Sequence, residues 1–373
     1  MMRSILSLFL MLCVLGTALP LSGCDASWGS GDESDMTNDL QRFSEYDFNC
    51  FDTVTTITGY AETKEEFDRV ASDALAELKE YHQLYTIYHR FEGMDNLCTI
   101  NELVNAPTDS DQQNAKVHRT VTVDRRIIDM LLYAKEMYAK TNGRVNIAMG
   151  SVLSIWHDYR TIGMDDPSSA ELPPMDKLLE AAQHTDINCL VIDEINSTVH
   201  ITDPCMTLDV GAVAKGYAVE MVARSMEEKG VTGYVLNVGG NVRTIGSKPD
   251  GASWVVGIEN PTGSNTEPYL AYMSLSGQSL VTSGSYQRYY IVEGKRYHHI
   301  IDPDTLMPHD LYLSVSVVCQ SSADGDALST ALFCMSPADG LALVESLPGI
   351  EAHWLLHDGT KQMSSGFNQY VSK

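Results

Sequence analysis

The chain has 373 residues, 44% hydrophobic, 20% charged and 8% aromatic. That is enough to bury a sizeable core in one large domain or two closely packed ones, and it is unlike a disordered chain or a polytopic membrane protein. Twenty-five Lys and Arg stand against 50 Asp and Glu, a formal charge of −25, so no basic surface is available to neutralise a phosphate backbone and nucleic acid is not an expected partner. An anionic substrate such as a nucleotide would need a local device against this field: a divalent cation, a helix N-terminus, or a few placed Lys and Arg.

Arg3 precedes an apolar run from Ile5 to Leu19, short for a membrane span but the right length for a signal-peptide core. The run ends in Leu21-Ser22-Gly23-Cys24, which resembles the lipobox of bacterial lipoproteins. That resemblance implies a leader over 1–23, acylation of Cys24 as the mature N-terminus, and a lipid anchor on the extracytoplasmic face of a bacterial membrane. An ordinary signal peptide with an incidental cysteine is the alternative. From Asp25 to Asp47 the chain is rich in Ser, Gly, Asp and Glu and is expected to be a flexible tether (24–47) ahead of a folded unit over 48–373. Beyond Cys13 and Cys24, the six cysteines form no CxxC pair and match no zinc or disulfide framework; they are read as small apolar residues with no chemistry.

Phe48 to Tyr60 alternates Thr with Val and Ile, predicting a first strand. Apolar residues at helical spacing predict a helix from Lys64 to about Tyr88, and a second runs from about Asp124 to Thr141 before Asn142-Gly143 stops it. Pro167, Pro173 and Pro174 mark a loop, and short strands follow near 189–193 and 198–202. Asp209 to Gly230 reads as a strand end, a glycine turn and a helix. Strands at 234–238, 254–259, 269–275, 289–292 and 314–319, with helices near 324–335 and 337–346, complete an α+β pattern without internal repeats.

Four segments carry chemistry. In Asp209-Val210-Gly211-Ala212-Val213-Ala214-Lys215-Gly216-Tyr217 a glycine turn feeds a helix N-terminus, so free backbone N–H groups and Lys215 are expected to cradle phosphate. Asn237-Val238-Gly239-Gly240-Asn241 ends a strand in a glycine pair that lets backbone approach a ligand. Val281 to Pro308 gathers Ser283, Arg288, His298, His299 and Asp302 in one hairpin-like unit, with His299 a candidate for contacting phosphate or moving a proton. Asp326 and Thr330 lie four apart, on one helical face, a carboxylate and a hydroxyl suited to Mg²⁺.

Taken together, DxGAxAKGYA, NxGGN, TSGxYxRY with HHIIDPxT, and DALSTALF resemble the FAD:protein FMN transferase (ApbE) family from about Phe51 to near the C-terminus. The resemblance implies an α+β, T-fold-like single catalytic unit of mixed or antiparallel sheets flanked by helices. It implies an enzyme that binds FAD and Mg²⁺, cleaves the pyrophosphate, attaches FMN to a Ser or Thr hydroxyl of an acceptor protein and releases AMP. The acceptors it implies are exported or membrane-anchored proteins of electron-transfer complexes. Residue by residue, Asp209, Lys215 and His299 match FAD-contacting positions, and Tyr88 matches an aromatic near the flavin. Ala212 matches a metal-binding carbonyl, and Asp326 and Thr330 match metal-binding side chains. Gly143-Arg144-Val145-Asn146 represents a further FAD segment, with Asn146 where Asp is usual, and Phe51-Asp52-Thr53 stands for a Met-Gly-Thr.

His299 and Asp302 are the two candidates for accepting the acceptor hydroxyl's proton, and sequence does not choose between them. Water in place of the acceptor would make the chain an FAD pyrophosphatase giving FMN and AMP, and a flavin-binding lipoprotein without catalysis is the third reading.

Overall fold

The computed structural model describes residues 40–105, 120–263 and 267–372; the leader and Cys24 lie outside the described residues. The folded unit begins before residue 48. Residues assigned above to the tether form strand β1 (Gln41–Asp47), antiparallel to β2 (Thr55–Ala61) along its whole length. Its side chains are largely exposed or half-buried. Main-chain pairing and Phe43 against Phe67, ring centroids 5.6 Å apart, hold it in place, and composition reveals neither.

The expected first strand starts late because residues 48–54 turn. Phe51 and Asp52 take φ of 54° and 51°, the left-handed region where Asp is tolerated and glycine is at ease. The Gly of the Met-Gly-Thr pattern is thus replaced by Asp52 at a position whose backbone favours glycine.

Thr63 caps α1 (Lys64–Tyr85) by accepting from the Glu66 N–H, and Phe67, Ala71, Ala74, Leu78 and Tyr81 form its buried stripe. Helix α2 (Leu97–Asn105) and the short strand β3 (Thr120–Thr122) precede α3 (Arg125–Lys140), capped by Asp124 and stopped at Asn142 and Gly143, both at positive φ. Next come α4 (Gly150–Asp165) and α5 (Met175–Ala181), then β4 (Leu190–Asp193) and β5 (Thr198–Ile201), which join β3 in a small antiparallel sheet. Periodicity does not announce α4, since its buried residues are few: Gly150, Val152, Trp156 and Gly163.

The remaining elements are α6 (Ala214–Glu228), β6 (Tyr234–Val238), β7 (Asn241–Ile245), β8 (Trp254–Glu259), β9 (Tyr269–Leu275), β10 (Ser279–Gly284), β11 (Tyr289–Val292), β12 (Lys295–His298), β13 (Tyr312–Cys319), α7 (Ser322–Phe333), α8 (Pro337–Ser346), β14 (Glu351–Leu356) and β15 (Lys361–Met363). Eight strands build one antiparallel sheet in the order β1-β2-β6-β7-β10-β13-β14-β15. Strands β7 and β13 are buried at every residue, as a sheet covered on both faces requires. Leu236, Val315 and Val317 face the core shared with α1, α6 and α7. Val242, Leu280 and Val318 face the opposite way, toward Ile258 and Met273 of the β8–β9 hairpin and Phe367. The α+β architecture expected above is the one found.

Two histidines are caught in this frame, His298 on β12 and His353 on β14, each 3% exposed. Burial pushes both down to about 4. The unfolded chain takes up protons near pH 6.5 and the folded one does not, so stability present above pH 6.5 is lost as pH falls toward 4. Lowering pH from 7 to 5 should cost about 2 kcal/mol per histidine. Urea midpoints read at the two pH values test this; equal midpoints in the wild type and in a His353→Gln variant would show that neither imidazole is held neutral.

Candidate active site

Chemistry-bearing residues converge where the turn before α6 meets α7. Asp326 is 5% exposed; its Oδ2 accepts the Gly216 N–H at 2.7 Å, and its Oδ1 lies 3.3 Å from Lys215 Nζ. Gly216 makes that approach possible, since a Cβ there would stand 2.3 Å from Asp326 Cβ and 2.4 Å from the Ser322 carbonyl oxygen. One turn along α7, the Thr330 hydroxyl faces that of Ser283 on β10 at 3.4 Å, and Ser283 also bonds Ser329 at 2.8 Å. The fully buried amide of Asn241 reaches the same corner: its nitrogen is 3.0 Å from the Cβ position of Gly216, and neither of its polar atoms has a partner among the described residues.

Backbone donors of the turn are more occupied than the sequence predicts. The Gly211 N–H goes to Asp209 Oδ1 (2.8 Å), those of Val213 and Ala214 to the Val210 carbonyl (2.9 and 2.8 Å), and that of Gly216 to Asp326. Positive charge therefore comes mainly from side chains. Lys215 is joined by Arg160 on α4, which no motif marks, and by Arg288 ahead of β11, one of the residues gathered between Val281 and Pro308. Arg160 Nη2 sits 3.1 Å from His157 Nδ1, and Arg288 Nη2 donates to the Asp52 carbonyl at 3.4 Å; neither bond is to a carboxylate. Burial, then the proximity of Arg288, pushes Arg160 below its usual value, with Tyr88 and Asp209 acting the other way. Burial likewise lowers Lys215 against the pull of Asp326, and raises Asp209 against the Gly211 N–H.

His299 belongs to this group. Its Nδ1 lies 3.3 Å from the Arg288 carbonyl; a carbonyl only accepts, so Nδ1 carries the proton and Nε2 the lone pair. Burial first, then Arg288, His298 and Arg160, push it down to about 3. The imidazole is neutral at pH 7, and an arriving anion that offsets the two guanidiniums would raise its basicity.

The ApbE family model matches residues 51–354. The chain belongs to the ApbE family. FAD:protein FMN transferases of Klebsiella pneumoniae and Treponema pallidum are similar: 30% identical over 65% of this chain and 72% of that protein, and 33% identical over 66% and 70%. Among solved structures, the ApbE protein of Thermotoga maritima superposes with a TM-score of 0.72 at 25% identity, over 89% of this chain and all of that one. The flavin transferase ApbE of Vibrio cholerae, at 21% identity, shares the fold with a TM-score of 0.69 over 89% and 99%.

Three residues carried over from ApbE motifs have side chains engaged within the fold, in the segment whose Ile147 carbonyl accepts the Asp209 N–H at 2.9 Å. Arg144 pairs with Asp302 (2.9 Å) and Asp304 (2.6 Å), the Val145 side chain is buried in the main core, and Asn146 caps a 3-10 turn by accepting from the Ala148 N–H while donating to the Thr185 carbonyl. All three are engaged in holding the fold, which the motif match does not convey. Asp302 is 5% exposed and its Oδ1 takes both Arg144 and the Asp304 N–H. It pins the turn after β12, and His299 is the better placed of the two candidate bases. Tyr88 is exposed, with its ring 5.5 Å from that of His157, and Phe51 packs edge-on against His82. Ala212 lies in the turn ahead of Gly216. What sequence reading missed, His157 and Arg160, has a faint signal: a basic pair three apart on the helix that follows the Gly143–Asn146 segment.

Proposed function

We propose that this chain transfers FMN from FAD to a Ser or Thr hydroxyl of an acceptor protein, with Mg²⁺ held by Asp326, Thr330 and the Ala212 carbonyl. The observation that carries the reading is the meeting, in a chain of charge −25, of a hard-oxygen corner with Lys215, Arg160 and Arg288. Carboxylate, hydroxyl and carbonyl are the donors Mg²⁺ prefers. The 3.3 Å contact from Lys215 to Asp326 is long for a hydrogen bond, so little is lost if Lys215 turns to a phosphate, and the unpartnered Asn241 amide marks a corner built for polar contents. Bound there, the ion supplies charge neutralisation on the phosphoryl oxygens.

The acceptor oxygen attacks the phosphorus on the FMN side, the bond to the bridging oxygen breaks, and AMP leaves with that oxygen. Arg160 and Arg288 hold the pyrophosphate charge in line for the attack. His299 takes the hydroxyl proton at Nε2, its ring fixed through Nδ1 by the Arg288 carbonyl. Incubation with FAD, Mg²⁺ and an exported flavoprotein fragment, followed by intact-mass measurement, should show the acceptor gaining one FMN less water, with AMP released. AMP and free FMN with an unmodified acceptor would make the chain a pyrophosphatase instead.

Arg288→Met should weaken FAD binding about tenfold at low salt, as loss of a charge-assisted contact implies, and should raise the His299 pKa. Flavin fluorescence titration reads the first and histidine NMR the second; an unmoved histidine resonance would remove Arg288 from its field. A lipid on Cys24 would place the enzyme on the extracytoplasmic face of a membrane, near membrane-anchored electron-transfer acceptors. Washed membranes should release a Cys24→Ala variant and retain the wild type; retention of both would refute the anchor.

A further inference from the structure

Away from the flavin site, three side chains of metal-binding type meet at the surface. His184 ends the 3-10 turn that follows α5, while Asp203 and Cys205 lie in the turn after β5. His184 Nδ1 is 2.9 and 3.1 Å from the two oxygens of Asp203, and one donor atom from each residue lies within 4.8 Å of those of the other two. The Cys205 N–H donates to Asp203 Oδ1 at 2.9 Å and helps set the carboxylate's orientation. His184 and Asp203 are half-buried and Cys205 is exposed, so the set is open to solvent on the thiol side.

We propose that His184, Asp203 and Cys205 bind a borderline-soft divalent cation, Zn²⁺ foremost. One imidazole nitrogen, one carboxylate oxygen and one thiolate are the donors Zn²⁺ takes in sites that keep a water as fourth ligand. Tetrahedral Zn²⁺ with bonds of about 2.0 to 2.3 Å separates its ligand atoms by roughly 3.3 to 3.5 Å. The His184–Asp203 separation needs only a few tenths of an ångström of opening, and Cys205, being exposed, can rotate toward them. Mg²⁺ is a poor occupant, because imidazole and thiolate are softer than the oxygens it requires. Binding exchanges the thiol proton of Cys205 for the metal and moves the His184 proton from Nδ1 to Nε2, so one proton is released per ion when the imidazole is neutral.

The position gives the site a consequence. The chain from Cys205 runs through the buried Met206 and Leu208 to Asp209. A metal here ties the segment after α5 to the strand end that leads into the Asp209–Lys215 turn, so occupancy should stiffen the approach to the flavin site and raise the melting temperature.

The test uses the full chain in a non-thiol reductant with Mg²⁺ in excess, so that the Asp326 corner is occupied. Titration with Co²⁺ should give one equivalent with a thiolate-to-metal charge-transfer band, and Zn²⁺ should abolish the band and raise the melting temperature. Cys205→Ser should lose the band, His184→Ala should weaken the affinity by at least about tenfold, and Asp326→Asn should keep both signals. A band that survives in Cys205→Ser, or a Zn²⁺-dependent melting shift equal in wild type and both variants, overturns the proposal.

Discussion

Asp326→Asn should lower the rate of flavin transfer on the order of 10³-fold while the protein stays folded. The amide matches the carboxylate in shape, so an oxygen can still accept the Gly216 N–H that Asp326 holds at 2.7 Å. What disappears is a negative charge, and metal-assisted stabilisation of phosphoryl transfer is worth several kcal/mol, each 1.4 kcal/mol being tenfold. Asn is a cleaner test than Ala. With Asp326 only 5% exposed, truncation would leave a buried N–H unpaired at about 1–3 kcal/mol, and loss of activity could then reflect a loosened fold. Single-turnover rates across a Mg²⁺ series decide the matter. A variant whose rate matches wild type at every Mg²⁺ concentration would place the metal elsewhere.

Gly216→Ala should be damaging at a position with ordinary helical backbone. The new Cβ would sit 2.3 Å from Asp326 Cβ and 2.4 Å from the Ser322 carbonyl, distances that force α6 and α7 apart. Overpacking of this kind costs about 1–3 kcal/mol or more, only partly offset by the roughly 1 kcal/mol that Ala gains over Gly inside a helix. The shift also drags Asp326 from Lys215, and a displacement near 1 Å in a transfer site is worth about 10²-fold in rate. Calorimetry should show a melting temperature lower by several degrees, and the transfer assay a loss of at least that size. An Ala variant with wild-type melting and transfer would mean that α6 and α7 leave room for a methyl group at this contact.

Local information was sufficient wherever the cause of a structure lies within a few residues. Thr63 with Glu66 and Asp124 ahead of Arg125 mark their helix starts, Asn142-Gly143 marks a stop, and the stripe from Phe67 to Tyr81 marks a buried face. The placing of Asp326 and Thr330 on one face needs nothing beyond the 3.6-residue repeat of one helix, so their proximity was legible from spacing alone. Strand β1 was not, because Gln41 to Asp47 is specified by its pairing with β2 rather than by its own composition. The same limit hides the partners of Arg144 and Asn146: a motif records which residues recur together, but not that Arg144 would pair with Asp302 and Asp304 or that the Asn146 amide would cap a turn with its oxygen and hold the Thr185 carbonyl with its nitrogen.

The sequence by itself determined the α+β class, the charge that calls for local cations, and the residue types gathered around Asp326. Only the tertiary structure brings Arg160 to Arg288. Arg160 on α4 and Arg288 ahead of β11 are 128 positions apart by their numbers, and their convergence on His299 depends on how α4 and the hairpin pack. It also decided that His184, Asp203 and Cys205 meet, since a donor set assembled from two separate turns leaves no spacing pattern along the chain. The physical reason is the same in both cases. Hydrogen-bonded periodicity acts over a handful of residues, whereas the placement of charge and ligand atoms is set by burial of faces far apart in sequence.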